Sequence, residues 1–508
     1  MSHELYSPYA SSHTLHGSIH IPSEDGFPTD TNAAKAETIM PKVAATLPPR
    51  SPTTRWSTIR GRITTPRNVQ SILPPAERNP TEVAFKQKQN YSHHFLDPVV
   101  RPMTWAYVKA MLISIGFIVM LMWAAMPLYW GSLAPGQRHG PSFRTWVVDF
   151  DGGELGAFVT ESVMNSTLIG TKEHLGWERA SPSSLEELTH GIVEEHAWAA
   201  IVINQGATSA LQAARAAGDA DYDPTSAITL YIEKARNNNA AGTLIVPLST
   251  SLIEDTMRRF NAKNIPEYLS SISSNSTALS QALRAHNALS GAWWKTVDLR
   301  PWNAPIATAM AVVGQIYICV FWYTVASFPI RASLEPYLTN RSVMLLRVLF
   351  PAIAYIPLSL SFAMISLPFH APFGTRYTYG GGFFLYFTYV YMDMLALGLA
   401  IEAAVTLLQP RFMAYFLLIV NVSTPVEPHE MQVWWYKYGY GMPFFNHGEA
   451  VNTILFNTKN VLGRNAGVLI AWAALSTVTT TGLTWYRRRE QVAQYRAGLA
   501  NKASGQPE

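Results

Sequence analysis

The apolar stretch from Met111 to Tyr129 constrains the fold of this chain more than any other feature. No charged side chain occurs between Met111 and Gln137. About 20 apolar residues in a row are enough for a helix to cross the hydrocarbon core of a bilayer. The stretch begins too late in the sequence for a cleaved signal peptide. It therefore predicts a signal-anchor helix, which we place at residues 105–130.

Five further apolar segments predict five more membrane spans. Charged residues make up only 14% of the 508 residues, whereas about 25% is usual for soluble proteins. The sequence therefore predicts an α-helical multi-span membrane protein with six transmembrane helices, five of them within residues 304–486. These five lie at residues 304–330, 348–368, 383–408, 412–426 and 466–485.

The placement of basic residues predicts the orientation in the membrane. Lys86, Lys88, Arg101 and Lys109 precede the first span, and Arg487-Arg-Arg489 follows the last. Because Lys and Arg accumulate on the cytoplasmic side, we expect both termini in the cytoplasm. Residues 1–104 are rich in Ser, Thr and Pro and predict a disordered tail, and residues 487–508 form a second cytoplasmic tail.

The region between the first and second spans predicts an inserted extramembrane α/β domain at residues 131–303. Strand-like runs at 144–150, 197–204 and 228–233 alternate with helix-like runs. Capping-box patterns at Ser183-Ser-Leu-Glu186 and Ser251-Leu-Ile-Glu254 predict two helix starts, and residues 207–217 predict another helix. The sequons at Asn165 and Asn275 are candidate glycosylation sites and agree with an outward-facing domain.

The motif Asp149-Phe-Asp-Gly-Gly153 is open to two interpretations. Asp149 and Asp151 follow an apolar strand, where Asp, Gly152 and Gly153 are favoured simply because they form a tight turn. The same two carboxylates, behind a single anchor, are also typical of a glycosyltransferase that binds a metal and a nucleotide sugar. Five additional spans argue against that enzyme class.

Two acidic residues within the fourth span are candidates for a substrate pathway. Asp393 lies near the middle of the span, where a carboxylate is costly unless it faces the bundle interior. Glu402 follows nine residues later, and at about 100° per residue it lies on the opposite helix face. We therefore expect Asp393 to serve a substrate or proton pathway or an interhelical hydrogen bond, and Glu402 to pair with Arg411 or another loop base.

The segment at residues 427–464 predicts a polar outer loop. Its acidic and histidine side chains match no zinc-binding spacing, so we predict no metal site. The aromatic run Trp434-Trp-Tyr-Lys-Tyr-Gly-Tyr440 is typical of an interfacial helix at the membrane surface. The acidic and histidine side chains that match no zinc-binding spacing are Glu427, His429, Glu430, His447 and Glu449.

Motifs for common enzyme and cofactor chemistry are missing from the sequence. It holds no P-loop, no nucleophile elbow and no Rossmann fingerprint, so we expect neither an enzyme nor a cofactor, and any ATP-driven work would need a separate ATPase subunit. The single cysteine, Cys319, excludes an intramolecular disulfide. The net charge of +4 comes without a basic patch, so we expect no nucleic-acid partner.

Several short motifs in a fixed order resemble those of the fungal nitrosoguanidine-resistance membrane proteins. That family is similar to ABC-2-type membrane domains and to the phage-infection-protein group. The resemblance covers roughly residues 105–488. The motifs are Leu128-Tyr-Trp-Gly-Ser-Leu133, Val147-Val-Asp-Phe-Asp-Gly-Gly153, Ala396-Leu-Gly-Leu-Ala-Ile-Glu402, Gln409-Pro-Arg-Phe412, Asn421-Val, Tyr438-Gly-Tyr-Gly-Met-Pro-Phe444 and Asn457-Thr-Lys-Asn-Val-Leu-Gly463.

The resemblance implies resistance to toxic compounds, by export of small amphipathic molecules or lipids, at the plasma membrane. It implies membrane lipids as partners and allows a homodimer, as ABC-2-type domains form. The alternative hypothesis is a non-transporting scaffold that organises lipids or binds a partner through its outer domain.

Overall fold

A computed structural model describes residues 101–133, 136–168, 173–327, 334–408 and 421–503, with the single positions 94, 95, 98 and 331. The elements below all belong to the compact unit Phe95–Glu508. Its longer helices are α1 Arg101–Leu133, α2 Glu154–Ser166, α3 Leu185–Val193, α4 Ala207–Ala217, α5 Val246–Ile272, α6 Ser276–Arg284, α7 His286–Leu289, α8 Ala309–Ser327, α9 Asn340–Ile365, α10 Tyr379–Leu408, α11 Pro443–Phe456 and α12 Leu462–Ala503. Its strands are β1 Arg144–Asp149, β2 Gly176–Arg179, β3 Ala199–Ile203, β4 Ile228–Ile232 and β5 Trp294–Asp298.

Five of the described helices are long and apolar enough to cross a membrane, namely α1, α8, α9, α10 and α12. They match five of the six predicted spans. The remaining predicted span, at residues 412–426, falls largely on positions outside the described ranges, so the count of six spans stays a prediction. Helix α1 already begins at Arg101, within the stretch that we assigned to the N-terminal tail.

The sheet between α1 and α8 is mixed, with strand order β2-β1-β3-β4-β5. Strand β1 runs parallel to β2 and β3, β3 runs antiparallel to β4, and β4 runs parallel to β5. Every residue of β3 and β4 is buried. Continuous burial is expected of central strands with both faces covered, and their sequences are accordingly apolar runs.

Helices cover both faces of this sheet. Val147, Ile201 and Leu230 pack on one face with side chains of α2, α4 and α5. On the opposite face, Val148 and Val202 pack with Leu188 and Ile192 of α3 among others. The predicted α/β organisation of this region therefore agrees with its layers, although the antiparallel step between β3 and β4 and the strands β2 and β5 were not predicted.

The predicted helix starts were less accurate. Ser184, one residue after the predicted position, is the N-cap of α3 and accepts a hydrogen bond from Glu187 N. The start predicted at Ser251 is wrong because α5 already begins at Val246, continuous with helical turns that start at Asn238. The operative signal is Asn237, whose side chain caps that first turn at Ala240 N.

Helix α10 forms the centre of the bundle, packing against α8, α9, α11 and α12. Helix α1 is different, because only Ala125 and Ser132 are buried along its length. An apolar helix that exposes its sides in this way suits contact with lipid. The Tyr436 hydroxyl donates to the Leu128 carbonyl of α1 at 2.5 Å, which joins this helix to the aromatic segment Trp434–Gly441.

Candidate functional site

A cavity of about 670 Å³ lies where the α/β domain meets the bundle. The α/β domain contributes Trp198 and Arg236, and the segment before α11 contributes Glu427 and His429. The floor is apolar and includes Ile316 of α8. We call this space the junction cavity. It combines a polar, charged side with an apolar base that leads into the membrane helices.

A three-residue contact closes one wall of the junction cavity. The Arg236 guanidinium lies 3.5 Å from the centroid of the Trp198 ring and 3.3 Å from Glu430 Oε1. The Trp198 indole Nε1 donates to the same oxygen at 3.3 Å. Arg236 is thus both stacked and ion-paired, a geometry that the planar guanidinium suits better than a lysine would. These contacts fix the α/β domain to the segment before α11.

Two further ion pairs neutralise most of the remaining charge around the junction cavity. Lys459 Nζ lies 3.9 Å from Glu195 Oε2 and donates to the Glu194 carbonyl at 3.0 Å. Glu449 of α11 pairs with Arg464. Burial of the Glu449 carboxyl raises its pKa to about 7, although Arg464 opposes that shift.

A neighbouring acid in the α/β domain does not add charge near neutral pH. Glu233, at the end of β4, is buried, and its two oxygens find no hydrogen-bond partner among the described residues. Burial raises its pKa to about 8 despite the nearby Arg236. Its carboxyl is therefore mainly protonated at neutral pH, which leaves Arg236 to Glu430.

Glu427 is the unusual residue of the junction cavity. Its side chain is only 6% exposed, and the Asn239 amide donates to Oε1. The other oxygen, Oε2, is buried and has no partner within the described residues. Burial raises the pKa of this carboxyl to about 7. A buried carboxylate without a cation is costly, so a cation or a proton that reached it would stabilise it.

His429 forms an aromatic wall beside Glu427. Its ring centroid lies 4.1 Å from that of Tyr440 and 4.8 Å from that of Phe445. Nδ1 lies 3.2 Å from Gln432 Oε1. Burial lowers the pKa of this imidazole, so it is neutral at physiological pH and does not compensate Glu427.

These residues were interpreted from the sequence as a polar outer loop, and that interpretation is wrong. Glu427, His429 and His447 are buried rather than solvated. The segment folds against the bundle because Phe444, among other side chains of α11, packs into its core. The available signal was the helical spacing of Phe444, Val451 and Ile454, which predicts an amphipathic helix rather than an exposed loop.

The structure places Asp393 in the bundle interior, as predicted. It is fully buried, and both carboxylate oxygens lack a hydrogen-bond partner in the part of the chain that the structure describes. Asp393 does not line the junction cavity. Its neighbour Met394 contacts Cys319 of α8, with 3.7 Å between the sulfur atoms. Cys319 lies three residues beyond Ile316 of the cavity floor, so about 4.5 Å of helical rise separates the two levels.

Glu402 belongs to a different site. It pairs with Arg331 and accepts a hydrogen bond from Ser327. Arg331 also lies 3.4 Å from Glu335, which in turn pairs with Arg347 at 2.9 Å. This network joins α8, α9 and α10 at the end of the bundle away from the α/β domain. The structure pairs Glu402 with Arg331, whereas the predicted partner Arg411 lies outside the described residues.

The Asp149 motif forms a turn in which both carboxylates bind backbone groups. Asp149 Oδ1 accepts from Asp151 N and Gly152 N, each at 2.9 Å. Asp151 accepts from Gly153 N at 3.2 Å and from the backbone and hydroxyl of Thr208. Gly152 has φ +64°, a conformation that favours glycine. These bonds involve three of the four carboxylate oxygens and support the turn interpretation.

Asn165 and Asn275, the predicted glycosylation sites of the α/β domain, are both exposed. Asn165 lies near the end of α2. Asn275 caps α6, with Oδ1 accepting from Thr277 N and Ala278 N at 3.1 Å. Across the described part of the chain, no group of three or more His, Cys, Asp or Glu side chains is arranged to hold a metal ion.

Comparisons with known proteins agree with a membrane protein. A curated relative, an uncharacterized endoplasmic reticulum membrane protein of Saccharomyces cerevisiae, is 26% identical over 314 residues, which span 59% of this chain and 61% of the relative. No solved structure matches the chain. A family model described as "Protein of unknown function (DUF3533)" matches residues 115–478, so the chain belongs to the DUF3533 family.

Proposed function

We propose that this protein binds small amphipathic molecules in the junction cavity and exports them, or moves lipids, across the membrane. The observation that carries the proposal is the junction cavity itself. Its volume of about 670 Å³ falls within the range of about 300–1,000 Å³ that is usual for small-molecule sites. Its lining combines charged groups, from the α/β domain and from residues 427–459, with apolar groups of α8, which matches a molecule with a polar head and an apolar tail.

The proposed route runs from the junction cavity towards Asp393. The floor at Ile316 is one helical turn from the level at which α8 contacts Met394. Asp393 remains our candidate for a substrate or proton pathway because a buried carboxylate with two unpartnered oxygens is costly to keep without a role. Glu402 remains a weaker candidate because its charge is already paired.

The proposal includes an orientation and an energy source. We place both termini in the cytoplasm and the α/β domain on the opposite side. The name of the yeast relative favours the endoplasmic reticulum membrane over the plasma membrane that we first expected. From the motifs that resemble a family similar to ABC-2-type domains, we propose a homodimer served by a separate ATPase subunit, since the sequence has no P-loop. We propose no catalytic step.

A pair of glycine substitutions tests the proposed function. A Cβ at Gly448, on the cavity wall, meets only Ala311 Cβ at 3.9 Å, so Gly448→Leu should fill the cavity with little strain. Gly467→Leu on α12 is the matched control, because a Cβ there meets nothing within 4 Å. Accumulation of labelled amphiphiles is measured in cells that express each form at equal level.

We expect the wild type and Gly467→Leu to lower accumulation and Gly448→Leu to restore it to the level of cells without the protein. Equal accumulation in all cells would contradict export. Accumulation lowered equally by Gly448→Leu would contradict the junction cavity as the binding site.

The alternative is a non-transporting scaffold that organises lipids. The contacts of Arg236 with Trp198 and Glu430 favour it, because they fix the α/β domain rigidly on the bundle. A scaffold predicts amphiphile binding without flux in reconstituted vesicles, together with loss of function when the α/β domain is removed.

A further inference from the structure

The charges around the junction cavity do not balance. Arg236 is neutralised by Glu430, and Lys459 by Glu195. Glu449 of α11, which also lines the cavity, pairs with Arg464. Within the described residues, this assignment leaves one carboxylate without a cation. That carboxylate is Glu427.

The position of Glu427 makes the imbalance informative. Glu427 lines the cavity, the Asn239 amide donates to its Oε1, and its Oε2 is buried and has no partner among the described residues. Only 6% of Glu427 is exposed, so solvent does not screen its charge well. A cation that enters the cavity would gain a charge-assisted hydrogen bond, which is among the stronger interactions available in a protein.

We propose that the junction cavity selects positively charged amphiphiles, with Glu427 binding an ammonium headgroup and the apolar floor binding the tail. This inference rests on the proposed function, since it names the ligand class of the same cavity. The aromatic rings of His429, Tyr440 and Phe445 line the headgroup side and add cation–π attraction.

The other charged groups of the cavity do not offer an equivalent site. Arg236 pairs with Glu430, and Lys459 pairs with Glu195. Glu449 carries Arg464. His429 is neutral, and the nearby Lys437 is exposed. An anionic headgroup would meet Glu427 and be repelled, whereas a metal ion would lack the several oxygen ligands it requires.

The test measures binding to the full-length protein in nanodiscs of zwitterionic lipid at pH 8. Three fluorescent probes share one alkyl chain and differ in headgroup: a primary ammonium, a sulfonate and a neutral hydroxyl. The protein forms are wild type, Glu427→Gln, Glu427→Asp, Gly448→Leu and the control Glu161→Gln, which changes an exposed acid of α2. Thermal unfolding verifies that each form is folded.

We expect the wild type to prefer the ammonium probe and Glu427→Gln to weaken it about tenfold or more, the loss typical of a hydrogen bond to a charged group. Glu427→Asp should retain the preference, Glu161→Gln should match the wild type, and Gly448→Leu should bind no probe. The glutamine variant keeps an acceptor for Asn239, so its folding should be preserved.

Two other outcomes have separate meanings. If all three probes bind alike, Glu427→Gln changes nothing and Gly448→Leu removes binding, ammonium selection is overturned while the amphiphile cavity stands. If Gly448→Leu binds every probe as the wild type does, the cavity itself is overturned and the proposed function falls with it.

Discussion

At the scale of single residues, the most unusual side chains are buried carboxylates with oxygens that have no partner among the described residues. Asp393 and Glu427 are both buried, and each has at least one oxygen without a hydrogen bond in the described structure. Burying an unpaired carboxylate costs free energy, so such residues are more informative about function than surface charges are. Asp149 and Asp151, which looked more enzyme-like in the sequence, accept hydrogen bonds that stabilise a turn.

The raised pKa of Glu427 predicts how ammonium binding depends on pH. Its carboxyl titrates near 7, so it is protonated below that pH and cannot pair with a cation. We expect affinity for the primary ammonium probe to reach a plateau near pH 8 and to fall about tenfold per pH unit well below 7, as linkage requires for one proton. Probe titrations from acid to alkaline pH measure this.

The neighbouring Glu449 titrates in the same range and provides the control for that experiment. Glu449→Gln should keep the pH dependence, because its carboxylate is already paired with Arg464. Glu427→Gln should remove the dependence. A profile that survives in Glu427→Gln would assign the titration to another group.

At the scale of elements, the ion-pair network of Glu402 acts as a structural junction between helices. Arg331→Met should lower the free energy of unfolding by about 3–5 kcal/mol, since it leaves Glu402 buried without its cation. Adding Glu402→Gln should recover much of that loss, because no charge then remains unpaired. Thermal and denaturant unfolding in detergent micelles measure both variants.

An exposed ion pair provides the control for this prediction. Arg259 and Asp255 of α5 form an exposed pair 3.3 Å apart, so Arg259→Met should change the free energy of unfolding by less than about 1 kcal/mol. If the double variant is no more stable than Arg331→Met alone, the loss comes from packing rather than from the uncompensated charge.

At the scale of the whole molecule, the orientation in the membrane can be tested through the sequons. Asn165 and Asn275 lie exposed on the α/β domain, which we place on the side away from the cytoplasm. In a eukaryotic host, we expect the protein to shift in mobility on endoglycosidase treatment and the double variant Asn165→Gln/Asn275→Gln not to shift. A sequon added after Glu508 should stay unmodified, and its modification would indicate the reverse orientation.

The sequence by itself determined the membrane helices and the central strands, because both depend on local patterns. Length and apolarity predict α1, α8, α9, α10 and α12 without any knowledge of packing. Strands β3 and β4 are continuous apolar runs, and β1 was found as readily. Edge strands β2 and β5 were missed because both are partly exposed and contain polar side chains, so that their apolar pattern is weak.

Only the tertiary structure decided which acids are paired, buried or available. Glu427 and Glu430 are three residues apart in the sequence, yet Glu430 pairs with Arg236 whereas Glu427 is left without a cation. Their partners lie roughly 190 positions away along the chain. Pair formation and burial depend on contacts between distant segments, which no local pattern encodes, and these contacts created the cavity that carries the proposed function.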